Sequence, residues 1–241
     1  PLTQGQTVTL QVGGSNTQAG GPSQVPASGA SAVILNLAAT GSTAPGDFLT
    51  LWPADPSVSR PTTSNLNFTA GQTKSNRVVV KLGPTGAIKI YNPFGSVQVI
   101  VDVNGWFTDG AAQITGVQFT GVSPLRILDT RDGTGGYTGP LPARGTLSVI
   151  VAGRGGVPGM DSPAAPAAVV MNVTATDTTA GSFFTIYPSD AQQPVIADLN
   201  WPPGGTIPNL VVVKLSPDGR ANVFSFSGSV DVIADVVGWY N

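Results

Sequence analysis

Apolar and polar residues follow one another along this chain in short alternating runs, closed off by Gly, Pro, Asn and Asp. In "VIVDVNGWF" (Val99–Phe107) the alternation sets Val99, Val101 and Val103 on one side and Ile100, Asp102 and Asn104 on the other. A period of two marks a β-strand, because successive side chains point to opposite faces of a sheet. The same reading predicts strands near residues 6–12, 32–39, 47–52, 64–69, 77–82, 87–91 and 97–107. "GPTG" (Gly83–Gly86) and "SPDG" (Ser216–Gly219) carry the Pro-then-Gly chemistry of tight turns. No stretch shows a helical period.

The pattern then occurs a second time. "VIVDVNGWF" returns as "VIADVVGWY" (Val232–Tyr240), and "SNLNFTAGQTKSNRVVVKLGPTG" (Ser64–Gly86) matches "ADLNWPPGGTIPNLVVVKLSPDG" (Ala197–Gly219) without a gap. Upstream, "AVILNLAAT" (Ala32–Thr40) pairs with "AVVMNVTAT" (Ala168–Thr176), and "PLTQGQTVTLQV" (Pro1–Val12) with "PLPARGTLSVIV" (Pro140–Val151). An internal repeat of this length signals two homologous domains. They are read as residues 1–108 and 123–241, with 109–122 as a linker or added strand. Seven or eight short strands per unit predict an all-β chain of two tandem β-sandwiches, of jelly-roll or immunoglobulin-like type. The second repeat has an additional early strand, near 125–131, that the first lacks.

Composition narrows the chemistry. Charged residues make up only 10% of the 241, and the net charge is −2. The average share is about a quarter, and nothing here offers nucleic acid a basic stripe. Apolar runs fall well short of the roughly 20 residues of a membrane-spanning helix, so membrane insertion is not expected. The chain has 0 Cys and 0 His. That removes thiolate nucleophiles, disulfides, the commonest metal ligand and the commonest general base. A hydrolase would have to rest on facing carboxylates. The expectation is no enzyme.

Three groups of residues stand out against this background. Asp102 and Asp235 occupy matching positions in the closing strands, where a buried carboxylate needs a cation or several donors. Lys81 and Lys214 recur in "VVVKL", and Arg131 follows Asp129 in the added strand. Asp102, Asp235, Lys81, Lys214, Asp129 and Arg131 are therefore expected to form mostly buried acid–cation hubs. Such hubs fix strand register more than they add stability. In "DTRDGTGG" (Asp129–Gly136), Asp129 and Asp132 flank a Gly-rich turn, the arrangement from which oxygen-ligated Ca²⁺ sites are made. An internal Asp–Arg pair is the simpler account of that turn, and no other cofactor is implied. Trp52, Tyr187 and Trp201 could stack on sugars if their rings lie exposed on a sheet face; otherwise they pack in the interior.

"SPLRILDTRDGTGG" (Ser123–Gly136), "GPLPARGTLSVIVAG", "AVVMNVTAT", "DLNWPPGG" and "DVVGWY" together resemble a repeat common in secreted and cell-surface proteins of actinobacteria and related bacteria. That family often opens on Leu-Asp-Thr-Arg and closes on Asp-Val-x-Gly-aromatic. The resemblance covers nearly the whole chain. It implies a non-catalytic, exported module, structural or adhesive, at the cell surface or outside the cell. The partners it implies are other copies of the chain or a surface glycan or polymer; a carbohydrate-binding module is the alternative. The first repeat departs from the pattern, because Pro1 aligns with Pro140 and no Leu-Asp-Thr-Arg strand lies before it. An exposed apolar edge on that repeat is expected. The strand filling it could lie upstream, come from Gln113–Val122 folding back, or come from another copy, the last giving a filament.

Overall fold

The computed structural model describes residues 1–14, 25–110 and 117–241. The chain divides into two compact units, Pro1–Gly116 and Val117–Asn241, and among the described residues all regular elements are strands. Unit 1 contains β1 (Leu2–Thr3), β2 (Thr7–Gln11), β3 (Ala30–Thr40), β4 (Asp47–Pro53), β5 (Leu66–Phe68), β6 (Lys74–Lys81), β7 (Ala87–Tyr91) and β8 (Ser96–Thr108). Unit 2 contains β9 (Phe119–Asp129), β10 (Thr146–Ile150), β11 (Ala168–Thr176), β12 (Ser182–Pro188), β13 (Leu199–Trp201), β14 (Ile207–Lys214), β15 (Arg220–Ser225) and β16 (Asp231–Tyr240).

The sheets of unit 1 run β1-β8-β3-β6 and β2-β7-β4-β5; those of unit 2 run β9-β16-β11-β14 and β10-β15-β12-β13. Each label in unit 2 is the unit 1 label plus eight, and every strand but the first has its sequence counterpart in the same place. Two four-stranded antiparallel sheets with the first strand beside the last form a jelly roll, which settles the choice left open by the sequence. Register repeats as well. Asn36 of β3 lies across from Asp102 of β8, and Asn172 of β11 lies across from Asp235 of β16.

Alternation does the packing. In β3, Val33, Leu35, Leu37 and Ala39 point inward, against Leu49, Ile88 and Val97. In β11, Val169, Met171, Val173 and Ala175 do the same, against Phe184, Leu199 and Leu128. The two predicted turns close with a hydrogen bond from Gly86 N–H to Gly83 O (2.8–2.9 Å range in both units: 2.9 Å here) and from Gly219 N–H to Ser216 O (2.8 Å). Gly86 and Gly219 take φ of 75° and 76°, a left-handed conformation that favours glycine.

The units differ at the first strand. β1 is two residues long and covers only Ser96 and Val97 of β8. Its sequence counterpart, Leu141, makes a single bridge to Val230. Unit 2 adds β9, eleven residues pairing along β16 from Ile233 to Tyr240. Two expectations are corrected here. The added strand begins at Phe119, earlier than 125. Within the stretch Gln113–Val122, Phe119, Thr120 and Gly121 pair with Tyr240, Trp239 and Gly238, so this part does not fold back on unit 1. Residues 111–116 lie outside the described residues.

A glycine records the difference. Both closing strands carry a register shift just before the Gly-Trp pair, at Gly105 and at Gly238. A Cβ on Gly238 would fall 2.4 Å from the Phe119 ring and 2.8 Å from Thr120 O. A Cβ on Gly105 would meet nothing nearer than Ile34 Cδ1 at 3.7 Å. Gly238→Ala should therefore destabilise unit 2 by about 1–3 kcal/mol, because β9 has to move away. Gly105→Ala should be neutral or stabilise unit 1 by about 0.5–1 kcal/mol through reduced freedom of the unfolded chain. Urea melts of the two variants read the contrast.

Candidate functional site

Polar residues that recur in both units hold strand ends to neighbouring loops. Asn65 Oδ1 accepts the Leu51 N–H at 2.7 Å, and Asp198 Oδ2 accepts the Ile186 N–H at 2.8 Å. Asn76 Nδ2 donates to Asn65 O at 2.8 Å, as Asn209 Nδ2 does to Asp198 O at 2.6 Å. Thr50 and Thr185 donate through Oγ1 to Thr63 O and Ile196 O, at 2.7 and 2.6 Å. The "SNLNF" and "ADLNW" segments thus repeat because the residue before each leucine caps a strand bond. Every acid in the chain is an aspartate. That short side chain reaches local backbone donors readily.

The densest charged cluster is in unit 2. Arg126 of β9 donates from Nε to Asp235 Oδ1 (2.9 Å) and from Nη2 to Oδ2 (3.3 Å). Its Nη1 donates to Asp129 Oδ2 at 3.0 Å. Arg131 donates to the same carboxylate from Nε (2.9 Å to Oδ1), from Nη2 (2.8 Å to Oδ2) and from its backbone N–H (3.1 Å to Oδ1). The result is an alternating row, Asp235–Arg126–Asp129–Arg131. Asp129 is 1% exposed, while Asp235 is 24% exposed. The Arg131 hydrogen bond, opposed by desolvation, holds the Asp129 carboxyl down at about 2. The bond to Asp235 raises Arg126, and the bond to Asp129 raises Arg131.

The neighbouring positions complete the account of "LDTR". Leu128 is buried in the core. Thr130, fully buried, exchanges bonds with the closing strand: its N–H donates to Val232 O (3.1 Å), and its Oγ1 accepts the Val232 N–H (3.0 Å) and donates to Asp231 Oδ1 (2.5 Å). Thr130 thus attaches the motif to β16, Leu128 anchors it in the core, and Asp129 and Arg131 bond each other and Arg126.

Several expected site residues are placed elsewhere. Lys81 and Lys214 do not join the hubs. They lie exposed, across from Ala32 and Ala168, four positions along β3 and β11 from the residues facing Asp102 and Asp235. Asp102 and Asp235 are half-buried rather than mostly buried, because both stand on the outer face of a sheet. The row through Asp102 has its cation on the far side: Asn36 faces Asp102 on one flank and Arg77 of β6 on the other. Arg77 is buried and its Nη1 donates to Asn104 Oδ1.

At the calcium candidate, both Asp129 oxygens accept from guanidinium groups, and Asp132 Oδ1 accepts the Thr134 N–H at 2.9 Å. Trp52, Tyr187 and Trp201 are buried. Trp201 packs edge-on against Phe184 at 4.5 Å between ring centres, so these rings offer no face to a sugar. Among the described residues a shallow hollow is lined by Thr43, Ala44, Pro45, Gly46, Phe94 and Gly95, and it contains no titratable side chain.

Arg126 and Arg77 were not singled out from the sequence. The signals were present: Arg126 precedes Asp129 by three residues in "RILDTR", and Arg77 stands where the second repeat has Leu210. Only the strand register shows that each shares a row with an acid.

No family model matches the chain, and no curated protein matches it. Among solved structures, one titled "Structure of infectious bursal disease virus Gx strain" aligns over 98% of this chain and 71% of its own, at 13% identity and a TM-score of 0.22.

Two outcomes are expected at this cluster. Asp129 is depressed in the folded state, from 3.8 to about 2, so its stabilisation is fully present above pH 4 and fades as the pH falls toward 2. With the partners half exposed, the loss amounts to about 1–2 kcal/mol. Asp129→Asn should remove that slope from thermal melts recorded between pH 5 and pH 2. Asp235→Ala should cost about 1 kcal/mol by urea denaturation, below the roughly 3–5 kcal/mol of a fully buried pair, since water reaches the group.

Proposed function

We propose that the chain is a non-catalytic structural or adhesive module of an exported protein, acting at the cell surface or outside the cell through its outer faces. The observation that carries this reading is where the recurring polar residues are directed. Asn65 and Asp198, and Thr50 and Thr185, fasten strands to neighbouring loops, and in unit 2 Arg126 of the Asp235–Arg126–Asp129–Arg131 row joins β9 to β16. Chemistry needs acids and bases aimed at a substrate, with their protonation tuned for transfer. Here the most strongly shifted carboxylate, Asp129, is held ionised by two guanidiniums, Asp55 and Asp218 are lowered by hydrogen bonds from Ser57 and Ser216, and burial raises Asp47. The lack of His and Cys in the sequence and the resemblance to exported bacterial repeats favour the same reading.

Two measurements test it. Purified protein offered glycosides, esters and peptides should show no turnover; a robust activity abolished by one Asp substitution would overturn the non-catalytic reading. Antibody against the chain should label intact source cells or their medium as strongly as permeabilised cells. Labelling that requires permeabilisation would overturn the surface placement.

A further inference from the structure

The edge of β8 that faces away from β3 differs sharply from the same edge in unit 2. Among the described residues, β8 beyond Val97 pairs only with β3, whereas β16 pairs with β9 along most of its length. The side chains follow. Val236 is fully buried, but its counterpart Val103 is 43% exposed. Val232, Ala234 and Trp239 are buried in unit 2, while Val99, Val101 and Trp106 are only partly buried in unit 1. Ile100 and Phe107 of the same strand are exposed as well. In unit 2 this groove is filled by Ile127 and Leu128 of β9, and Phe119 lies over Gly238. The first repeat keeps the glycine, Gly105, where a Cβ would make only ordinary contact with Ile34 Cδ1 at 3.7 Å.

We propose that the open edge of β8 is an acceptor for a second strand of the β9 type. The occupant is an extended segment, antiparallel to β8, with two successive large aliphatic residues for the groove beside Val101 and Val103. It carries an arginine at the register of Asp102 and an Asp-Thr pair beyond. Unit 2 supplies the template for that chemistry: β9 runs through a turn into Leu141, which bridges to Val230, and Leu2 pairs with Val97 in the matching place. Exchange of β9 between copies does not solve the problem, because withdrawing β9 opens the identical edge on β16. The number of open edges stays the same. A strand beyond those described closes unit 1 without opening unit 2. An uncovered edge of this length is a template for non-specific pairing, and strand addition is the known way to satisfy one. The inference stands on the geometry of unit 1 and not on the functional reading above.

The test is a fusion. Residues 123–139, "SPLRILDTRDGTGGYTG", are attached directly before Pro1 of the full chain, since Pro1 aligns with Pro140. A control fusion has the Ile and Leu of the added copy replaced by Asp. Hydrogen exchange is followed across Val99–Phe107, with light scattering on the same samples. The expected result is a monomer in which these amides exchange about tenfold more slowly, or slower still, than in the unfused chain, with no slowing in the control. Should the fusion fail to fold, the same segment is added as a synthetic peptide to the unmodified chain. Saturable binding that slows exchange over Val99–Phe107, and that the doubly substituted peptide lacks, supports the proposal. Unchanged exchange in the fusion, equal slowing in the control, or no peptide binding overturns it. Slow exchange in the unfused chain that appears only together with dimerisation overturns it in favour of a second copy as occupant.

Discussion

Pairing along the outer edge of the closing strand is the constraint on which each unit depends. β8 and β16 are long strands whose inward valines form one wall of the core, and β3 or β11 covers only one of their edges. A β-strand buries its core-facing side chains fully only when both neighbours carry side chains of their own. Where β9 supplies the second neighbour, Val236 loses all contact with water; where β1 stops after two residues, Val103 keeps 43% of its surface. The two units share topology and register, so the contrast isolates the effect of one strand.

The charged residues serve that pairing. With only 10% of the chain charged, few groups are left for solvation alone. In the row Asp235–Arg126–Asp129–Arg131 the Arg126 guanidinium joins β9 to both oxygens of Asp235 on β16, and Arg131 holds both oxygens of Asp129 at the end of β9. Such a row adds modest free energy at a half-exposed sheet surface, but a slip of β9 by one residue would turn Arg126 to the opposite face and part it from Asp235. Leu128 and Thr130 enforce the same register, one by core packing and one by backbone hydrogen bonds. In unit 1 a different solution serves the row through Asp102, with Arg77 entering from β6 on the far side of Asn36.

Much of this was legible in the chain. Period-two alternation located the strands, because burial of one face is a local property of each run. β7 was read as 87–91 and is found there, and β3, β4 and β8 were placed to within one or two residues. The repeat was legible because matching strands pack against matching partners. The start of β9 was not. "FTGV" has no clear alternation, and it becomes a strand only by pairing with Gly238, Trp239 and Tyr240. The aromatic and cationic residues were misread for a related reason. Nothing in the residues around Trp52 or Lys214 says which face of a sheet they occupy or what covers them.

The sequence by itself determined an all-β chain of two like units, the strand inventory, the tight turns at Gly86 and Gly219, and the absence of His and Cys chemistry. Each of these is set by composition or by neighbours a few residues apart. Only the tertiary structure decided the jelly-roll order, the choice of Arg126 and Arg77 over Lys81 and Lys214, the burial of Trp52, Tyr187 and Trp201, and the bare edge of β8. Those features join residues far apart in the chain, such as Arg126 and Asp235, and their geometry is fixed by strand register, a cooperative property of the whole sheet.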